Sequence, residues 1–309
     1  MNIVNNTSKP KGKSVVFTHN ILNVIYNHKG NNLLSEITLQ GNKYYVGLCT
    51  EDEDTYVLKD EEILMIDMLL SWAMLTGNTT VGSICLSDID FIRQRNKENK
   101  TRIKESHEKY INIFKRLETI HYVCADTNEI PIAEKYIHPL FKYELVVKDD
   151  YSKEIKYSFD ELGILLENQK QIVVIEDNIF NIRVSEMMKY KLLRYLIVSI
   201  FMNRIRKNGC IRTHKSVLSG ITYCIDNKVR KSYYDYYCES EHISRYLNRY
   251  ITRLDEVLTK LKLCNYIVDY SIERISLLQE LILGYGKITI ITNKYKKKRK
   301  IGTFLSEKQ

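Results

Sequence analysis

Arg245, Asn248, Arg249, Thr252 and Arg253 recur three or four residues apart, so on a helix they share one face, with no acid among them before Asp255. Guanidinium and carboxamide groups in that array can pair with guanine and adenine edges, and Thr can accept or donate beside them. The chemistry is base-edge reading. A second cationic group, Arg93, Arg95, Lys97, Lys100, Arg102 and Lys104, and a third at the end, Lys294, Lys296, Lys297, Lys298, Arg299 and Lys300, could hold phosphates without reading sequence.

Residue sets for covalent chemistry are incomplete. His242-x-x-Arg245 has the spacing of the His-x-x-Arg of tyrosine recombinases, but no partner Arg box or terminal nucleophile follows, and Ile243 and Tyr246 fit an ordinary amphipathic helix. Tyr233 and Tyr237 have the Tyr-x-x-x-Tyr spacing of some rolling-circle nickases, which also need two histidines one residue apart; all seven here stand alone. His107, on an apolar face, is expected to be a packed core histidine. A GxxxxGK[ST] phosphate loop is missing, so no ATPase is expected. Seven cysteines at long intervals form no CxxC pair, which argues for reduced thiols over disulfides or zinc. The run Glu51 to Asp54 lacks EF-hand spacing and reads as a solvated loop. The expectation is a protein without catalytic residues, metal or cofactor.

Charge supports the polyanion reading. The formal net charge is +9, yet residues 189–309 hold 25 Lys and Arg against 10 Asp and Glu, while residues 1–188 hold 22 against 28. Such asymmetry points to nucleic acid as partner of the second half. The start, MNIVNNTSKPKGKSVVF, has no apolar run suited to a signal peptide, and no stretch reaches membrane-span length. A cytoplasmic protein is expected.

The elements that must position these cations come next. From Ser240, a candidate N-cap, Ile243, Leu247, Tyr250, Ile251, Leu254, Val257, Leu258 and Leu261 keep helical period opposite the cationic face, and an apolar strand leads to Tyr270. Upstream, Ile63 to Met74 predicts a helix closed at Thr76-Gly77-Asn78, Ser87-Asp88-Ile89-Asp90 a capped second helix, and Ile103 to Leu117 a long third helix before the strand Ile120 to Cys124. Strands are expected at Val15 to Phe17, Ile37 to Leu39, Tyr44 to Val46, Tyr143 to Val147, Tyr157 to Phe159 and Gln171 to Ile175. After residue 180 the series repeats: a helix over Leu192 to Phe201, a short one at Thr213 to Ile221, the long basic helix, then Ile275 to Leu283 as helix and Lys287 to Thr292 as strand. Helix, helix, long helix and strand is the order of a winged helix, so the expected fold is α+β and helix-rich, with two tandem winged-helix domains bearing short β-hairpin wings. The boundaries are 1–55 as an N-terminal extension with short strands, 56–147 as the first domain, 148–179 as bridging strands, and 180–309 as the second domain with a basic tail.

Leu58-Lys59-Asp60-Glu61-Glu62-Ile63-Leu64, the Ser87-Asp88-Ile89 helix and Tyr190-Lys191-Leu192-Leu193-Arg194-Tyr195-Leu196-Ile197 carry a resemblance over roughly residues 55–300. In these the chain resembles the plasmid replication initiators of the Rep type, which bind repeated origin sites. The resemblance implies a non-enzymatic binder of double-stranded DNA whose second winged helix dominates major-groove contact. It also implies a homodimer and host replication proteins as further partners. A tandem winged-helix transcriptional or partition regulator would present the same surface, and a nicking or recombining enzyme with a Tyr nucleophile is the more distant alternative.

Overall fold

The computed structural model describes residues 13–17, 20–26, 34–39, 42–50, 55–76, 81–93, 100–126, 137–160, 172–176, 254–263, 267–272 and 288–291, with single positions 162, 163, 166, 180, 190, 193, 194, 196, 197, 252 and 265. The chain divides into two compact units, Met1–Lys191 and Leu192–Gln309.

In the first unit the central element is helix α2, Asp60–Thr76. Three acids in its first turn suit the positive end of the helix dipole, and every residue from Glu62 to Ser71 is buried, so this helix has no solvated stripe. Its buried polar side chains are each satisfied. Glu62 accepts the Lys59 backbone N–H at 2.8 Å, Ser71 Oγ accepts the Val15 N–H at 2.8 Å, and Asp67 accepts the hydroxyls of Tyr26 at 3.0 Å and Tyr190 at 2.7 Å. Helix α1, Asn20–Tyr26, follows strand β1, Lys13–Phe17.

Strands β2 (Ser35–Leu39) and β3 (Asn42–Thr50) are followed after α2 by β4, Val81–Cys85, which runs directly into helix α3, Leu86–Ile92. The long helix α4, Lys100–Glu118, leads to β5 (Ile120–Asp126) and β6 (Ile137–Pro139). Then come β7 (Lys142–Val147), β8 (Lys153–Ser158) and β9 (Ile172–Glu176). These strands form an antiparallel sheet β2-β3-β5-β6, a three-stranded sheet β4-β8-β7, and the pair β1-β9 laid on α2.

The three-stranded sheet packs under the helices through an aromatic cluster. Phe114 of α4 stacks with Phe141, whose ring also meets Tyr143, Tyr157 and Phe159 within 5.4–6.2 Å. Tyr157 donates its buried hydroxyl to the Leu69 carbonyl at 2.8 Å, tying β8 to α2. Its ring lies over Gly82, its register partner in β4: a Cβ there would come within 2.5 Å of the ring, so only glycine fits.

In the second unit residues 254–263 are helical, with Leu254, Val257, Leu258 and Leu261 buried as their spacing predicts. Strand β10, Asp269–Ile272, then pairs antiparallel with β11, Ile288–Ile291. Leu193, Leu196 and Ile197 are helical and buried. The helices expected at Thr213 to Ile221 and Ile275 to Leu283, and the tyrosine-rich stretch 232–237, lie outside the described residues.

The structure corrects several expectations. Among the described residues the chain is mixed, with eleven strands beside helices α1 to α4 and the helical stretch 254–263, and not the helix-rich fold expected. Helix α3 begins at Leu86, with Cys85 as its N-cap and Asp88 reaching back to the Cys85 N–H at 3.4 Å; Ser87 lies inside the helix, because β4 enters it without a loop. The strands expected as an N-terminal extension are built into the first unit: β3 pairs with β5 along its length and β1 with β9. Hairpin β7-β8 crosses the boundary expected at 147, and β8 is the central strand of its sheet. No helix among the described residues is long and apolar enough to cross a membrane.

Candidate nucleic-acid interface

Helix α4 carries Lys100, Arg102 and Lys104 of the first unit's cations, and its first turn contains Lys100 and Arg102 with no acid. Cations at that end oppose the helix dipole at a cost of about 0.3–1 kcal/mol each, and a phosphate docked there would relieve it. Lys100, Arg102 and Lys104 therefore share one end of α4. Arg95 and Lys97 lie outside the described residues. Further along α4, Glu105, Glu108, Lys109, Asn112 and Lys115 are exposed, so the outer face loses its cationic character after the first turns.

Two arginines of the first unit serve its packing: Arg93, counted above among the cations, is buried, and Arg116 is held in ion pairs. Arg93 is 2% exposed, with its guanidinium carbon 5.6 Å from the centroid of the Tyr110 ring; a side chain so placed cannot meet phosphate, and it leaves the candidate set. Arg116 donates Nε to Glu62 Oε1 at 2.9 Å and its terminal nitrogen to Glu61. Burial alone would draw its pKa down; the bond to Glu62 and the charges of both glutamates hold it above the ordinary value. Glu62 also accepts the Tyr56 hydroxyl at 3.0 Å, and burial followed by the Glu62 charge pushes that phenol well above its usual range. This network fastens α4 to the start of α2.

A second polar cluster fastens α3 to α4. Asp90, 3% exposed, accepts the Tyr110 hydroxyl at 2.9 Å and lies 2.6 Å from His107 Nε2. His107 is thus a half-buried histidine within hydrogen-bond distance of a carboxylate, which agrees with a packing role and adds a partner the sequence did not reveal. Sequence reasoning missed Asp90 because its partners are set by the crossing of two helices.

In the second unit, Thr252 is helical and exposed. Arg245, Asn248, Arg249 and Arg253 lie outside the described residues, as do Lys294, Lys296, Lys297, Lys298, Arg299 and Lys300. The following turns of the same helix expose Asp255, Glu256, Thr259 and Lys262. Tyr270 of β10 donates to Asp255 Oδ1 at 2.7 Å and lies 2.8 Å from Thr259 Oγ1, and Lys262 donates to Asp269 at 2.9 Å. The Lys262 ammonium holds the Asp269 carboxyl below the usual carboxylate range. Among the described residues no three His, Cys, Asp or Glu side chains gather as a metal site.

No protein-family model matches the chain, and no curated protein matches it. Among solved structures the chain is similar to a crystal structure of selenomethionine derivatives of domains 2 and 3 of RctB, at 12% identity and a TM-score of 0.35, covering 68% of this chain and 77% of that one. A likeness at that TM-score carries no argument, and the functional reading rests on this chain's own residues and fold.

Proposed function

We propose that the chain is a non-enzymatic, sequence-specific binder of double-stranded DNA at a replication origin, built from two winged helices, with the helix bearing Arg245, Asn248 and Arg249 in the major groove. The observation that carries the reading is the order of the first unit. Helix α2, strand β4 and helices α3 and α4 follow one another, hairpin β7-β8 comes after β5 and β6 of the other sheet, and the three strands close in the order β4-β8-β7. Two helices after a strand, with a hairpin closing on that strand, support the reading of a helix-turn-helix core with a wing, and the helix and hairpin elements described in the second unit are compatible with a repeat of it. The surplus of cations after residue 188 supports a polyanionic partner for the second unit.

In this mechanism Lys and Arg side chains neutralise phosphates and give affinity that falls with salt, by a slope of about −0.9 per phosphate contacted. Arg245 and Arg249 each read a guanine and Asn248 an adenine, at roughly 1–3 kcal/mol of discrimination per pair. A homodimer has an edge available: β7 pairs only with β8 among the described strands and exposes Leu145 and Val147. The test is fluorescence anisotropy with cognate and random duplexes. Arg249→Ala should lower preference for the cognate site, whereas neutralising Lys100, Arg102 and Lys104 should weaken both duplexes equally and flatten the salt slope. Equal loss on both duplexes from Arg249→Ala would remove the recognition-helix assignment.

A further inference from the structure

Between the 254–263 helix and β10 runs an open groove of about 1270 Å³ whose lining includes Asp255, Glu256, Lys262, Leu263, Val268 and Asp269. Among the described lining residues three carboxylates stand beside one ammonium, and Leu263 and Val268 are 78% and 48% exposed next to them. Tyr270 donates its hydroxyl to Asp255 Oδ1 at 2.7 Å, which holds that carboxylate at the wall of the groove. The groove also adjoins the end of the helix, where backbone carbonyls add partial negative charge. It is built for an extended cationic segment with some apolar character.

The position of β11 brings such a segment to it. In the β10-β11 register Ile291 lies opposite Asp269, so the chain leaves the hairpin beside a carboxylate that lines the groove. Lys294 follows three residues later, within about 10 Å of extended chain, and Lys294-Tyr295-Lys296-Lys297-Lys298-Arg299-Lys300 spans about 23 Å. The helix from 252 to 263 offers about 17 Å of groove wall. Length, starting point and charge agree.

We propose that this groove is the seat of the chain's own segment Lys294–Lys300, with Asp255, Glu256 and Asp269 receiving its cations and Leu263 and Val268 receiving Tyr295. The docked segment is withheld from other polyanions. Its consequence for DNA, a competition between groove and phosphate for the same lysines, rests on the DNA reading above; the docking itself does not.

Trypsin supplies the test on the full chain without DNA, with products read by intact mass. Cleavage at Lys308, beyond the segment, serves as the internal rate standard. At about 20 mM salt, cuts between Lys294 and Lys300 should be slow relative to Lys308, and on the order of fivefold faster in Glu256→Gln/Asp269→Asn, because cleavage follows the undocked fraction. About 500 mM salt should accelerate the same cuts in the unaltered chain by screening the contact. Segment cuts that keep pace with Lys308 in all three conditions overturn the docking. Protection without any DNA affinity would sustain the docking and remove only the DNA reading.

Discussion

Arg116→Ala separates cations that hold the fold from cations free to meet a ligand. Removing Arg116 leaves Glu62, fully buried, with the Tyr56 hydroxyl and the Lys59 N–H but no counter-charge, and removes the clamp between α4 and α2. Breaking a buried ion pair from one side costs about 3–5 kcal/mol. Arg116 is 36% exposed, so solvent already screens part of that interaction and about 2–3 kcal/mol is expected. The chain has a single tryptophan, Trp72, on α2, whose indole donates to the Ser83 carbonyl at 2.8 Å. Its fluorescence during urea unfolding therefore reports the first unit alone. With a slope of about 2 kcal/mol per molar urea, the midpoint should fall by about 1–1.5 M. Glu62→Gln should cost less than Arg116→Ala, since the freed guanidinium can turn toward Glu61 and water. A midpoint within about 0.3 M of the unaltered chain would refute the clamp, because roughly 0.5 kcal/mol is what a surface ion pair supplies.

Gly82→Ala should destabilise the same unit by about 2–4 kcal/mol in that assay, because Tyr157 cannot retreat without giving up its bond to Leu69. Leu145→Lys with Val147→Lys should leave the Trp72 transition in place and shift any homodimer to monomer in sedimentation at matched concentration. Asp160 accepts from Lys142 at 2.6 Å and from the Ser158 hydroxyl at 2.6 Å; burial pushes its carboxyl up, but these partners hold it below the usual range. A depressed folded value adds stability above the unfolded carboxylate range that is lost as pH falls through the folded value. Asp160→Asn should therefore be less stable than the unaltered chain by about 0.2–1 kcal/mol at pH 6, and the difference should shrink as pH falls below the ordinary carboxylate range in urea unfolding followed by Trp72.

Helical period made α2, α4 and the 254–263 helix legible, since Ile63, Ile66, Leu69 and Leu70, then Tyr110, Phe114 and Leu117, then Leu254, Val257, Leu258 and Leu261, are all buried. Alternation and turn residues likewise marked β1, β2, β3, β7, β9 and β11. Pairing was not legible. A strand pattern states which face is apolar and not which strand lies beside it, so the joining of Lys13 to Glu176 could not be read locally. The short elements α1 and β6 carry too few residues to establish a period. Arg93 misled for a related reason: its neighbours in sequence are cationic, and only the crossing of α3 on α4 brings it over Tyr110. The proposed base-reading stripe rests on residue types and spacing; of its residues Thr252 alone is among the described ones, and it is exposed.

The most direct test of sequence-specific DNA binding is DNase footprinting of the purified chain on the DNA flanking its own gene, at rising salt, with random DNA as competitor. Several protected copies of one repeat, persisting under competitor and lost with Arg249→Ala, are the predicted result. A single protected promoter operator would favour a regulator over an origin binder. Salt-sensitive binding with no protected site would contradict the account, because the basic half would then be a general polyanion surface.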